Sequence, residues 1–251
     1  MKTVRRMVLF LIFLPITTVL AQAPPVAFVS KETRVSLLEL YSSEGCYSCP
    51  PADKWISELK TDKRLWKDYV PVAFHVAYWD YIGWEDKFAS ARFSQRQRHY
   101  AALAGSRSVY TPEFFIDGKE WRGFFNTKRL PATSNHKAGQ LSVKVGGNTA
   151  LIHFRPSSNA AISYDINIAL LGFNISNEIE DGENEGKTLE HNFVVLGHRS
   201  ETLIKKEAGL YQLSTHVPTT NLNHTHSGIA AWVTVKGNPL PVQAVGGWLQ
   251  N

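Results

Sequence analysis

The sequence predicts an α/β N-terminal domain over residues 33–130 followed by a β-rich, sandwich-like domain over residues 139–251. Three observations lead there. Strand-like and helix-like segments alternate as far as Leu130, the chain turns polar and linker-like from Pro131 to Gly139, and short β-type runs dominate beyond it. A chain of 251 residues is long enough for one large or two modest domains, each with its own core.

The N-terminus reads as a signal peptide over residues 1–21. Lys2, Arg5 and Arg6 form a basic start, Met7 to Leu14 is apolar, and Val19, Leu20 and Ala21 suit cleavage after Ala21. The apolar run is short for a membrane span and Pro15 interrupts it. The expected location is the bacterial periplasm or the exterior, where a disulfide persists, with no membrane span after cleavage. Net charge is +5, and removal of the leader's three cations leaves +2. With no basic stripe, that balance gives no basis for nucleic-acid binding.

Val35 to Tyr41 is a near-continuous apolar run, the pattern of a strand buried on both faces. Pro51 to Lys60 reads as a helix, with Trp55, Ile56 and Leu59 at helical spacing. Val70 to Val76 is a second strand, and Ser90 to Leu103 a second helix. Glu113 to Ile116, the Asp117-Gly118 pair and Lys119 to Trp121 form a hairpin signal. Strand, helix and strand, then a helical insertion and a hairpin, is the thioredoxin-like order. In the second half Leu141–Val145, Ala150–Phe154, Ile162–Leu171, Phe193–Leu196, Tyr211–His216 and Ile229–Val235 read as strands. Gly172 to Thr188, acidic and rich in Gly and Asn, reads as an exposed loop.

The chain's two cysteines are Cys46 and Cys49, so an intramolecular disulfide must join them. A thiol delivered by a strand to a helix mouth meets unpaired N–H groups and the positive end of the helix dipole, which stabilise a thiolate. Cys46 is then the nucleophile and Cys49, one turn inside, the resolving thiol. Pro50 and Pro51 fit a first helical turn. A structural disulfide and a metal pair are the competing readings of the same spacing. Thr111-Pro112, just before the hairpin, is placed to be a cis peptide that pairs with an extended partner, flanked by Tyr110 and an aromatic wall that includes Trp79. Glu39, the one charge in its strand, is a proton relay if it lies inward beneath Cys49 and an ordinary solvated residue if it does not. Glu44 reads as solvated, and His75 as a buried, satisfied histidine before a base or ligand.

These residues resemble a family of exported bacterial proteins catalogued as domain of unknown function 1223. The resemblance rests on Leu38 to Asp53, on Phe74-His75-Val76 with Tyr78-Trp79-Asp80, and on Gly83-Trp84. It extends through Gln95 to Arg98, Ser108 to Pro112, and Gly182 to Leu189 with His191-Asn192 and Val194-Val195. It implies a thioredoxin-like N-terminal domain and a β-rich C-terminal one, and no established activity. Ala77 departs from the pattern, which carries an acidic residue there, so a mechanism needing that carboxylate lacks it.

The function expected is an exported thiol–disulfide oxidoreductase working on exported protein thiols or disulfides, or with a redox partner, and needing no cofactor. Its second domain, with the Glu183-Asn184 loop packed near the thiols, restricts access. The rivals are a copper-delivery protein using Cys46, Cys49 and His75, and a non-catalytic binding module with a vestigial thiol pair.

Overall fold

A computed structural model describes residues 24–158, 162–222, 224 and 226–249. The signal peptide expected over residues 1–21 lies outside the described residues. In chain order the strands begin with β1 (Val26–Val29) and β2 (Ser36–Ser42). Helix α1 (Pro50–Glu58) and strands β3 (Tyr69–Val76) and β4 (Ala89–Ser90) follow. Next come α2 (Ala91–Leu103), β5 (Glu113–Ile116), β6 (Lys119–Glu120), β7 (Gly139–Gly146) and β8 (Thr149–Pro156). Then come β9 (Tyr164–Phe173), β10 (Ile175–Glu178), β11 (Thr188–His191), β12 (Val194–Thr202) and β13 (Ile204–Lys205). The chain closes with β14 (Tyr211–His216), β15 (His226–Val235) and β16 (Pro241–Trp248).

The described chain is mostly strand, and this corrects the expected α/β thioredoxin-like N-terminal domain. A nine-stranded mixed sheet runs β16-β15-β9-β12-β3-β2-β5-β6, with β4 also on β3. It draws strands from both the 33–130 and the 139–251 segments, so no self-contained α/β layer forms. The join is β12, which pairs in parallel with β3 at Val194 and Ala73, while β9 continues the sheet antiparallel on its other edge. Local periodicity reports that β3 is buried at all eight positions, but not which strand covers its edge. Gln243 of β16 ties the two segments at a second place, ahead of β2: its Oε1 accepts from the Val35 amide and its Nε2 donates to the carbonyls of Lys31, Thr33 and Gly139.

Side-chain alternation divides the sheet into two buried faces. Along β9 and β15, Ala169, Leu171, Phe173, Ala230 and Trp232 join the core that holds both helices. Their alternates Ile166, Ile168, Ile229, Ala231 and Val233 pack with Leu141, Val143, Ile152 and Phe154 of an antiparallel five-stranded sheet, β1-β7-β8-β14-β13. The helices take opposite faces of the first-half strands. On one, Trp55 of α1 meets Phe114 edge-on at 5.2 Å. On the other, Tyr100 of α2 meets Phe115, the next residue of β5, at 5.0 Å. The segment expected as an exposed loop instead holds the β10–β11 hairpin, in which Asn184 is fully buried.

Candidate functional site

Strand β2 delivers the chain to a loop at Ser43, and α1 starts at Pro50 with Cys49 as its N-cap. Prolines fill the first two helical positions, where no intrahelical partner is lost. Cys46 and Cys49 form a disulfide with their Cα atoms 5.4 Å apart. Both are 0% exposed, although Tyr47 between them is 66% exposed. The two cysteines are thus buried, while the Tyr47-Ser48 pair between them is exposed.

The cover is small and specific. The Ser48 hydroxyl lies 3.4 Å from Cys46 Sγ and donates to the Thr111 carbonyl at 3.3 Å. The Trp79 indole donates to the Thr111 hydroxyl at 2.7 Å. Gly45 permits the close approach of this aromatic segment, since a Cβ there would meet Trp79 Cβ at 3.3 Å and Ile82 Cδ1 at 3.2 Å. From the β10–β11 hairpin, Asn184 Nδ2 donates to the carbonyls of Glu44 and Cys46, and Glu183 accepts from the Tyr47 amide. The Glu183-Asn184 loop thus packs on the cysteine loop, and the second half of the chain forms part of the cover.

The Thr111–Pro112 peptide is cis. Gln97 of α2 holds this turn by donating to the Tyr110 carbonyl at 2.8 Å and to the Glu113 carboxylate at 2.6 Å. The Tyr110 hydroxyl donates to Glu120. Of the four residues expected to line a partner groove, Thr111 and Trp79 are engaged with the cover, and Tyr110 is held on both its carbonyl and its hydroxyl. Burial pushes the Glu113 carboxyl up to about 7, against the opposing pull of the Gln97 hydrogen bond. An acid whose folded pKa lies above its ordinary value of 4.5 holds its proton longer when folded. Its contribution to stability therefore declines as pH rises from about 4.5 to about 7 and is level above that. Urea midpoints across this range should show the decline in wild type, and Glu113→Gln should remove that component.

Glu39 does not reach the cysteines. Ser42 faces α1, where its hydroxyl donates to Asp53, so Glu39, three residues earlier, points to the opposite face. There it accepts from Arg96 Nε and Nη2 at 2.9 Å each, from Tyr100 Oη at 2.7 Å and from Tyr41 Oη at 2.8 Å. The expected proton relay is instead the buried anchor of α2.

Behind the disulfide, on the α1 face, lies a polar cluster of which the sequence marked only parts. Glu44, expected to be solvated, is fully buried. It accepts from Asn177 at 2.6 Å and from the Trp84 indole at 2.9 Å, and pairs with His191 Nε2 at 2.9 Å. His75 Nδ1 pairs with Asp86 at 2.6 Å, and Asp86 also accepts from the Glu44 and Phe88 amides. The Nε2 of His75 is buried without a partner, so this histidine is only half satisfied. Burial raises the Asp53 carboxyl, with His191 and His75 pulling the other way. Burial also opposes the charged forms of Glu44 and Asp86, but pairing with His191 and with His75 holds both below their ordinary values. Burial alone would lower the His75 imidazole, but the charge and hydrogen bond of Asp86 together with the charges of Asp53 and Glu44 outweigh it, raising the pKa to about 9. Asp53 and His191 fall inside the motifs read from the sequence. What hid their role is separation: they lie on α1 and β11 and meet only in the fold.

The chain belongs to the family described as "Protein of unknown function (DUF1223)", which it matches over residues 37–234. Among solved structures it is similar to a protein of Agrobacterium tumefaciens at 22% identity and a TM-score of 0.59, covering 88% of this chain and 97% of that one. It is also similar to HBP35 of Porphyromonas gingivalis at 14% identity and a TM-score of 0.58, covering 88% of this chain and 76% of that one. At these identities the likeness is one of fold alone. No curated protein matches the chain.

Proposed function

We propose that the protein is an exported thiol–disulfide oxidoreductase whose working group is the Cys46–Cys49 pair, acting in the periplasm or outside the cell on protein thiols and disulfides or with a redox partner. The observation that supports this most is the placement of the chain's two cysteines. They form one short disulfide at a helix N-terminus, beneath two exposed residues. Closing so small a loop constrains the unfolded chain by only about 2 kcal/mol, less than longer loops achieve, so a purely structural role gains little.

In the exchange, a partner thiolate attacks Cys46 Sγ, a mixed disulfide forms, the Cys46–Cys49 bond breaks, and Cys49 leaves as a thiolate that the helix N-terminus stabilises. A partner thiolate attacking the mixed disulfide at its own sulfur then releases the partner as a disulfide and Cys46 as a thiolate. In the other direction, the Cys46 thiolate attacks a partner disulfide and Cys49 resolves the product. Cys46 is buried, so either direction requires hydrogen bonds around it to open, among them Ser48 to the Thr111 carbonyl and Asn184 to the Cys46 carbonyl. Breaking them costs on the order of 1 kcal/mol each. The test uses reduced single-cysteine variants mixed with an exported protein fraction. Cys49→Ser should accumulate mixed disulfides through Cys46, and Cys46→Ser should not. Trapping by Cys46→Ser alone, or by neither, would overturn the assigned roles.

A further inference from the structure

We propose that Asp53, His75 and His191 form a buried site for a divalent transition metal, with zinc as its occupant. The three residues come from α1, β3 and β11, and one ligand atom from each lies within 4.8 Å of the other two. Ligands about 2 Å from a tetrahedral zinc stand about 3.3 Å apart, so side-chain adjustment of roughly an ångström closes the site. The Asp53 carboxylate is held in place by the Ser42 hydroxyl, which donates to Oδ2 at 2.9 Å.

The two imidazoles carry the argument. Metal-bound histidines characteristically hold a carboxylate on the ring nitrogen that does not bind the metal, which fixes the ring and its tautomer. Both histidines here have that arrangement. His75 Nδ1 rests on Asp86 at 2.6 Å and His191 Nε2 on Glu44 at 2.9 Å. The carboxylates are themselves held, Asp86 by two backbone amides and Glu44 by Asn177 and Trp84. The ring centroids lie 5.0 Å apart, edge to face. His75 Nε2 is left with no hydrogen-bond partner in a fully buried position, which a metal bond would satisfy.

Charge and donor type agree on the class of ion. Glu44, Asp53 and Asp86 place three carboxylates in one buried cluster, a negative setting that favours a cation. Two imidazoles and one carboxylate suit zinc and disfavour magnesium or calcium, which take all-oxygen sets. The sulfurs, bonded to each other, are not needed as ligands. A cleft of about 340 Å³ between α1 and β11, lined by Asp53, Lys54, Ser57, Leu189 and Glu190, provides a route inward. A metal here would tie β11 and β3 to the helix that carries Cys49, and it requires no thiol chemistry.

The experiment uses the full oxidised protein, stripped with chelator, exposed to zinc and dialysed before metal analysis. Wild type should retain one equivalent. Asp53→Asn and His191→Gln should each weaken zinc binding by about tenfold or more, and a Cys46→Ser, Cys49→Ser double variant should still retain one equivalent. Cobalt substitution of wild type, which does not depend on any variant folding, should give a nitrogen–oxygen ligand-field spectrum without thiolate charge transfer. Failure of oxidised wild type to hold zinc would overturn the site. So would uptake that survives both ligand substitutions, or uptake lost with the cysteines. The exchange reaction could fail its own test with every one of these results unchanged.

Discussion

Replacing Arg96 with alanine should lower the unfolding free energy by about 3–5 kcal/mol, because it leaves the Glu39 carboxylate buried without its counter-charge. Glu39 is fully buried, and the Arg96 guanidinium supplies two of its four hydrogen bonds. Tyr41 and Tyr100 supply the others, and neither hydroxyl carries charge. The two charges hold each other in place: the carboxylate keeps the arginine protonated despite its burial. The same guanidinium lies over the Trp232 ring at 5.3 Å from its centroid, so truncation also removes packing. A double variant with Glu39→Gln and Arg96→Met should recover much of the loss, because it buries no unpaired charge. Urea denaturation of the two variants beside wild type measures both effects. Equal destabilisation by the single and double variants would show that packing, rather than the ion pair, dominates.

Trp232→Ala should cost about 3–5 kcal/mol as well, by removing a fully buried ring and leaving a cavity. Trp232 lies on β15 and reaches Phe74 on β3 at 6.3 Å, while its ring stacks on His198 of β12 at 5.4 Å. It therefore binds strands from both sequence segments into one core. Its Nε1 is buried without a hydrogen-bond partner, so Trp232→Phe, which keeps a ring and discards that donor, should cost much less than alanine. Because Trp232 and Arg96 touch, the two alanine substitutions should not be additive. Since one sheet crosses both segments, thermal unfolding of Trp232→Ala should remain a single transition, with near- and far-ultraviolet signals coincident. Separate melting of an N-terminal unit would contradict the shared core.

The sequence exposed what depends on near neighbours. Asp117 and Gly118 lie at positive φ in the turn between β5 and β6, the backbone that a two-residue hairpin demands. The apolar runs later assigned to β2, β3, β9 and β15 are buried as their periodicity required. What it hid depends on distant pairs. Nothing local announces that Val194 pairs with Ala73, so the strand order of the first half read as an isolated α/β unit. Glu44 read as solvated because its partners Trp84, Asn177 and His191 lie 40 to 147 positions away. Glu39 carried a legible signal, a lone charge in a buried strand, but strand alternation shows which face it takes only once Ser42 is known to face α1. The Cys46–Cys49 pairing was legible from the sequence, while the contacts around it were not, since they come from Ser48, Thr111 and Asn184, which meet only in the fold.

The most direct test equilibrates the folded oxidised protein in glutathione buffers of graded ratio and counts free thiols under native conditions. Gated exchange predicts that Cys46 and Cys49 reach a buffer-dependent equilibrium in a single two-thiol transition while the fold stays intact. Sulfurs that remain bonded in every buffer until denaturant unfolds the chain would contradict it.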